Sequence, residues 1–216
     1  MIIAISGLIG SGKDTVADYL VNLHEYRRES FAGNLKDSMS AIFGWDREML
    51  EGRTKSSREW REQVDPWWSE RLGIPHLTPR WILQYVGTDV IRGKFHDDMW
   101  LASLENKLRK TTDDIVISDV RFKNEVKMLK NLGAICIEVT RGDKPNWYND
   151  ALSGNTSQLE LLKIHKSEYD WIGTDFDYTL DNNGTLDDVY TQVETVLSAK
   201  RQAKDPQASM LTPAYV

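Results

Sequence analysis

Nine residues near the start of the chain, Gly7-Leu8-Ile9-Gly10-Ser11-Gly12-Lys13-Asp14-Thr15, constrain the fold more than any other stretch. An apolar run, Ile2-Ile3-Ala4-Ile5, precedes them, and an amphipathic segment from Val16 to Leu23 follows. A buried strand, a glycine-rich turn and a helix start, in that order, are the context in which a loop wraps a phosphate. Glycines let successive backbone N–H groups point into one concavity, and the helix N-terminus adds partial positive charge there. Lys13 stands where an ammonium can reach the outer phosphates of a nucleotide. The motif normally carries Ser or Thr after its lysine, to ligate magnesium. Here Asp14 holds that place and Thr15 follows. Either Asp14 contacts the metal, directly or through water, or Thr15 supplies the hydroxyl.

Further apolar runs punctuate the rest of the chain. Residues 25–31 lead through a short strand to Phe31, and Asn34 is placed to cap a helix that turns Leu35, Met39, Ile42 and Phe43 inward. Residues 45–78 are polar and tryptophan-rich, interrupted by Pro66 and Pro75, and read as a mostly helical insertion outside the sheet. Thr78-Pro79 is a helix start, a capping hydroxyl before proline at the first helical position. That helix runs to about Ile91, broken at Gly87-Thr88-Asp89, and another spans residues 98–110. Ile115-Val116-Ile117 reads as a parallel strand covered on both faces. A helix over 122–132 and a strand over 134–139 follow.

Residues 141–167 read as a mobile flap with a short helix over 158–164. Residues 178–180 form a last strand, and Thr185 caps a closing helix to about Ala199. Residues 201–216 read as a flexible tail. Strands separated by helices point to an α/β fold, a doubly wound parallel sheet with helices on both faces. The expected organisation is one phosphate-loop domain over 1–200 that contains the insertion and the flap.

The 216 residues carry a net charge of −6, which argues against a general nucleic-acid binder but leaves room for a locally basic cleft. One cysteine, Cys136, lies in an apolar run and excludes an internal disulfide or a cysteine metal cluster. The N-terminus enters the first strand without a basic leader, and no apolar stretch is long enough to span a bilayer. A cytoplasmic setting is the expectation.

Together these residues resemble the phage deoxynucleoside monophosphate kinases, relatives of the adenylate and dephospho-coenzyme A kinases. The resemblance rests on Ser11-Gly12-Lys13-Asp14-Thr15, with the same aspartate departure, and on Phe31-Ala32 with Leu35-Lys36-Asp37. Leu83-Gln84 with Gly87-Thr88-Asp89, and Asp119-Val120-Arg121 with Asn124-Glu125, extend it. So do Arg141, His165 with Ser167-Glu168, and Asp181 to Leu186. Residues 45–78 and the flap match poorly.

The resemblance implies transfer of the ATP γ-phosphate to a deoxynucleoside 5′-monophosphate, in the host cytoplasm if the chain is phage-encoded. It implies ATP and magnesium as cofactors, no membrane or nucleic-acid partner, and is compatible with a homodimer. Gly7, Gly10, Ser11, Gly12 and Lys13 are then expected to cradle the ATP phosphates, with Asn182 approaching the adenine. Asp14, Thr15 and Asp119 are candidates for the magnesium sphere. Arg80, Arg92, Arg121 and Arg141 are the candidate cationic clamp, since guanidinium forks suit phosphate oxygens; Lys36 could share the role of Arg80. Lys13, Arg121 and Arg141 are the candidate catalytic groups. Phe31, Gln84 and Asp89 are candidates for the acceptor's base and sugar.

His165 reads as structural, and the tryptophans mainly as core. A kinase of another phosphorylated metabolite and a nucleotide-binding switch are the rival readings.

Overall fold

The apolar runs become strands of one sheet, and the amphipathic stretches between them become its cover. The computed structural model describes residues 1–204. In chain order the elements are β1 (Ile2–Ser6), α1 (Lys13–His24), β2 (Arg27–Glu29), α2 (Gly33–Phe43), α3 (Arg47–Glu51) and α4 (Lys55–Arg61). Next come α5 (Pro66–Leu72), α6 (Pro79–Gln84), a π-helical segment (Tyr85–Phe95), α7 (Met99–Leu108), β3 (Ile115–Ile117), α8 (Lys123–Asn131) and β4 (Ile135–Thr140). The last elements are α9 (Tyr148–Ser153), α10 (Thr156–Leu161), α11 (Lys166–Tyr169), β5 (Tyr178–Asp181) and α12 (Leu186–Lys204). The described residues divide into two compact units, 1–29 with 112–204, and Ser30–Thr111. No helix among the described residues is long and apolar enough to cross a membrane.

The first unit holds the sheet, in the order β2-β3-β1-β4-β5 with every pairing parallel. β1 is central, with Ile3 opposite Val116 of β3 and Ile135 of β4. Side chains alternate across a strand. Ile3 and Ile5 therefore meet Val16, Ala17 and Leu20 of α1 and Val189, Val193 and Val196 of α12 in one core. Ala4, Ile115, Ile117 and Cys136 are also buried, so the opposite face is covered as well. There α8 packs on β1 and β4, with Val126 and Leu129 buried.

Thr185 caps α12 as expected, its hydroxyl accepting from Asp188 N. The helix packs Val193, Val196 and Leu197 on the sheet and continues past the expected end to Lys204. This corrects the reading of residues 201–204 as tail; the rest of that reading, 205–216, lies outside the described residues. The expected flap holds three short helices rather than one. They fold around Tyr148, Ala151, Leu159, Trp171 and Ile172, a local core that the polar composition of the segment concealed.

The second unit is helical and packs Leu35, Met39, Trp45, Leu50, Leu77 and Ile82 together. Three indoles packed in or against this core find acceptors: Trp45 Nε1 donates to Asp65 Oδ2 at 2.8 Å, Trp68 Nε1 to Phe43 O at 3.0 Å, and Trp100 Nε1 to Gly87 O at 2.9 Å. Ile42 is 61% exposed, contrary to expectation. Asn34 lies inside α2 rather than capping it, and its amide donates to Ser103 Oγ. Thr78 caps α6 as expected.

Beyond Gln84 the helix widens into the π segment instead of breaking at Gly87. A Cβ on Gly87 would come 2.7 Å from Leu35 Cδ2, so glycine permits close packing there. The Trp100 indole claims the Gly87 carbonyl. A side chain inserted into the ladder in this way is a recognised cause of helix distortion.

Candidate active site

Because the strands are parallel, the chain leaves all their carboxyl ends at one edge. β1 ends in the glycine loop, β3 in Ser118 to Arg121, β4 in Arg141 and β5 in Asn182. The strand order reverses beside β1, with β3 on one side and β4 on the other. That is the place where ligands settle in open parallel sheets.

The loop's conformation depends on its glycines. Gly7, Gly10 and Gly12 have φ of 147°, 80° and 98°, in the region that side-chain-bearing residues rarely adopt. A Cβ on Gly7 would lie 2.3 Å from Val139 O, and one on Gly12 would lie 2.2 Å from Asn182 Nδ2. Asn182 is buried; its amide donates to Ser11 O at 2.8 Å, and its backbone N–H to Thr140 O at 2.9 Å. It props the loop from beneath. Ser11 Oγ is buried without a hydrogen-bond partner. It lines a pocket with Leu8, Thr140, Arg141, Lys144 and Trp171. An unpaired hydroxyl in a glycine cradle at a helix N-terminus suits an anion that accepts hydrogen bonds.

Lys13 Nζ folds back to donate to Gly7 O and Leu8 O, both at 2.8 Å. Burial and the neighbouring Arg121 guanidinium lower its pKa to about 8, against the opposing pull of Asp14 and Glu168. Arg121 Nη1 donates to Glu168 Oε1 at 3.0 Å. The Arg121 backbone N–H is fixed by Glu125 Oε2 at 2.7 Å. Lys13 and Arg121 are thus brought together, and Glu125 and Glu168 set the place of the arginine.

Asp14 is exposed in the first turn of α1. Its carboxylate accepts from Ser118 Oγ at 2.9 Å and from Arg28 Nη1 at 3.3 Å, and Arg28 also reaches Asp18 at 2.8 Å. Asp119 follows Ser118 at the end of β3. Sequence reasoning assigned no role to Ser118, Arg28 or Glu168. The carboxyl-end position of Ser118 was the one signal available. Arg141 is exposed at the end of β4, beside Gly142, whose N–H donates to Asn183 Oδ1 at 2.7 Å. His165 Nδ1 accepts from Ser167 N and caps α11, a structural role.

In the helical unit the expected acceptor residues divide. Phe31 is 6% exposed, so its ring belongs to packed interior rather than to an open face, contrary to the expectation that it stacks on a base. Lys36 Nζ is paired with Glu51 Oε2 at 2.8 Å, both side chains largely buried. Arg80 pairs with Glu62 at 2.9 Å on the surface. Gln84 and Asp89 are exposed, and Arg92 is half-buried in the π segment.

Residues 74–193 match the deoxynucleotide monophosphate kinase family. A protein of Acanthamoeba polyphaga mimivirus assigned as a deoxynucleotide monophosphate kinase is 31% identical over 207 residues, covering 89% of this chain and 94% of its own. The deoxynucleoside-5′-monophosphate kinase of Escherichia phage T5 is 28% identical over 179 residues, 60% of this chain and 72% of the phage protein. Shikimate kinase from Aquifex aeolicus superposes with a TM-score of 0.46 at 11% identity, over 93% of this chain and 98% of that one. The family match runs through Gln84, Asp89, Asp119, Arg121, Arg141 and Asn182, and the mimivirus relative spans most of the chain: this protein belongs to the deoxynucleotide monophosphate kinase family.

Proposed function

We propose that the protein transfers the γ-phosphoryl group of ATP to a deoxynucleoside 5′-monophosphate, giving ADP and the deoxynucleoside diphosphate. Membership of the family carries the reading, and the glycine cradle with its lysine supports it. The amides of Gly10 to Lys13 and the Ser11 hydroxyl hold the donor's phosphates, and Lys13 exchanges its two carbonyl partners for phosphate oxygens. Arg121 and Arg141 meet the charge that spreads over the transferring group, where fixed cations lower the barrier most. The acceptor phosphate is already largely ionised near neutrality, with a second pKa of about 6, so no dedicated base is required.

Asp14, Thr15 and Asp119 are the residues that would hold a magnesium ion, which would supply positive charge beside the donor's phosphates. Among the described residues no group of three or more His, Cys, Asp or Glu could hold a metal. An ion that keeps several waters and shares phosphate oxygens asks only one or two carboxylates of the protein. Arg80, Arg92, Lys36, Gln84 and Asp89 are assigned to the acceptor, and residues 45–78 are assigned as an acceptor-side insertion. Residues 141–167 are assigned as the flap of a single kinase domain.

Coupled measurement of ADP release with ribo- and deoxymononucleotides of each base tests the reading. Deoxymononucleotide-dependent turnover is expected. Turnover with some other phosphorylated acceptor, and with none of these, would overturn it.

A further inference from the structure

Trp81 and Tyr85 stack face to face in the helical unit, with ring centroids 5.0 Å apart and 5° between their planes. Both rings stay open, at 38% and 40% exposure. Trp45, Trp68 and Trp100 of the same unit are packed inward, with each indole N–H donated to a protein acceptor. The Trp81–Tyr85 pair therefore leaves more flat aromatic surface in water than the unit's packing requires.

Its surroundings are polar in a particular way. Gln84, Thr88 and Asp89 are exposed on the same stretch of helix. Arg80 precedes Trp81 and is paired on the surface with Glu62 at 2.9 Å, a partner that a phosphate oxygen would replace. A flat ring face, an amide and a carboxylate on the same stretch of helix, and the guanidinium of the residue before it match the parts of a nucleoside monophosphate. Bases stack on aromatic faces, amides pair with base edges, and guanidiniums take phosphate oxygens.

We propose that the Trp81–Tyr85 stack is the platform on which the acceptor's nucleobase lies, extending the pair to three layers, and that these rings rather than Phe31 set affinity for the base. The proposal rests on the reading that the acceptor is a deoxynucleoside monophosphate. Phe31 is closed off by packing, whereas the pair is already parallel and open, so no rearrangement precedes stacking.

The test uses the full chain carrying Trp81→Leu, Trp81→Phe or Tyr85→Ala. Calorimetric titration compares a deoxymononucleotide that the wild type phosphorylates with deoxyribose 5-phosphate, which keeps sugar and phosphate but lacks a base. Leucine retains apolar bulk without a stacking face; phenylalanine retains a face. Trp81→Leu is expected to weaken the nucleotide about 5- to 100-fold, with deoxyribose 5-phosphate and the KM for ATP changed less than about twofold. Trp81→Phe should recover most of the loss, and Tyr85→Ala should weaken the nucleotide selectively too.

Equal losses for both ligands would mean that the ring supports the fold and not the base. Unchanged nucleotide binding in Trp81→Leu would place the base elsewhere. Either result overturns the platform. The two readings fail separately: a wild type that phosphorylates no deoxymononucleotide removes the acceptor assignment, whereas normal turnover with undiminished binding in Trp81→Leu removes the platform alone.

Discussion

Lys13 is held in reserve by two loop carbonyls and by its own burial, which with Arg121 brings its pKa down to about 8. Phosphate oxygens need the ammonium form, so kcat/KM for ATP is expected to fall as pH rises through about 8, in a pH–rate profile of the free enzyme. Lys13→Ala should lower turnover on the order of 10³-fold in steady-state kinetics, and it should remove that limb of the profile. The lysine and the glycines were legible because backbone chemistry demands them in a fixed order. Asn182 was only half legible: the turn was, but its amide holds Ser11 O across 171 residues of sequence, and no local pattern encodes that pairing. Asn182→Ala leaves a buried carbonyl short of a donor, for a loss of about 1–3 kcal/mol, read as a lower melting temperature together with a raised KM for ATP. Asn182→Asp, which sets a carboxylate oxygen against that carbonyl, should be worse than alanine.

Among the elements, α2 and α3 are tied by two ion pairs, Lys36 to Glu51 and Arg47 to Asp37, and Glu51 also takes Arg47. Burial pushes Glu51 up, but Lys36 and Arg47 outweigh it and hold its pKa at about 2. A folded-state value below the ordinary carboxylate value stabilises the fold fully above about pH 4.5, and that contribution is lost as pH falls toward about 2. Amide hydrogen exchange in α2 and α3 should therefore quicken across this window. Glu51→Gln should abolish the acid dependence and cost about 1–3 kcal/mol at neutral pH. Helix starts such as Thr78-Pro79 were readable because a capping hydroxyl and a proline act within four residues. The π segment was not, because its cause lies in Leu35 and Trp100, outside the segment itself. The three flap helices escaped for a similar reason: Leu159 and Trp171 become core only when brought together.

At the scale of the molecule, β1, β3, β4 and β5 could be found one at a time, since each is a short apolar or β-branched run between helices; β2, Arg27-Arg28-Glu29, carries no such pattern and was placed only within residues 25–31. Their order could not, because β3 entering between β2 and β1 is decided by pairings of Ile115 with Ile2 and with Arg27, both far away in sequence. The helical unit likewise runs from Ser30 to Thr111 with no change of composition to mark its ends, so the tryptophan-rich stretch was visible and its helical flanks were not. One consequence of the sheet is chemical. Cys136 faces Ala4 across the central ladder, is wholly buried, and has its thiol pushed up to about 12 by burial and by Asp177. No disulfide reagent can reach it, and hardly any thiolate exists near neutrality, until β1 and β4 separate. The lone thiol is thus a stopwatch for breathing of the sheet: Ellman's reagent should modify native protein at the rate of global opening, and saturating ATP should slow it by the ligand's binding factor.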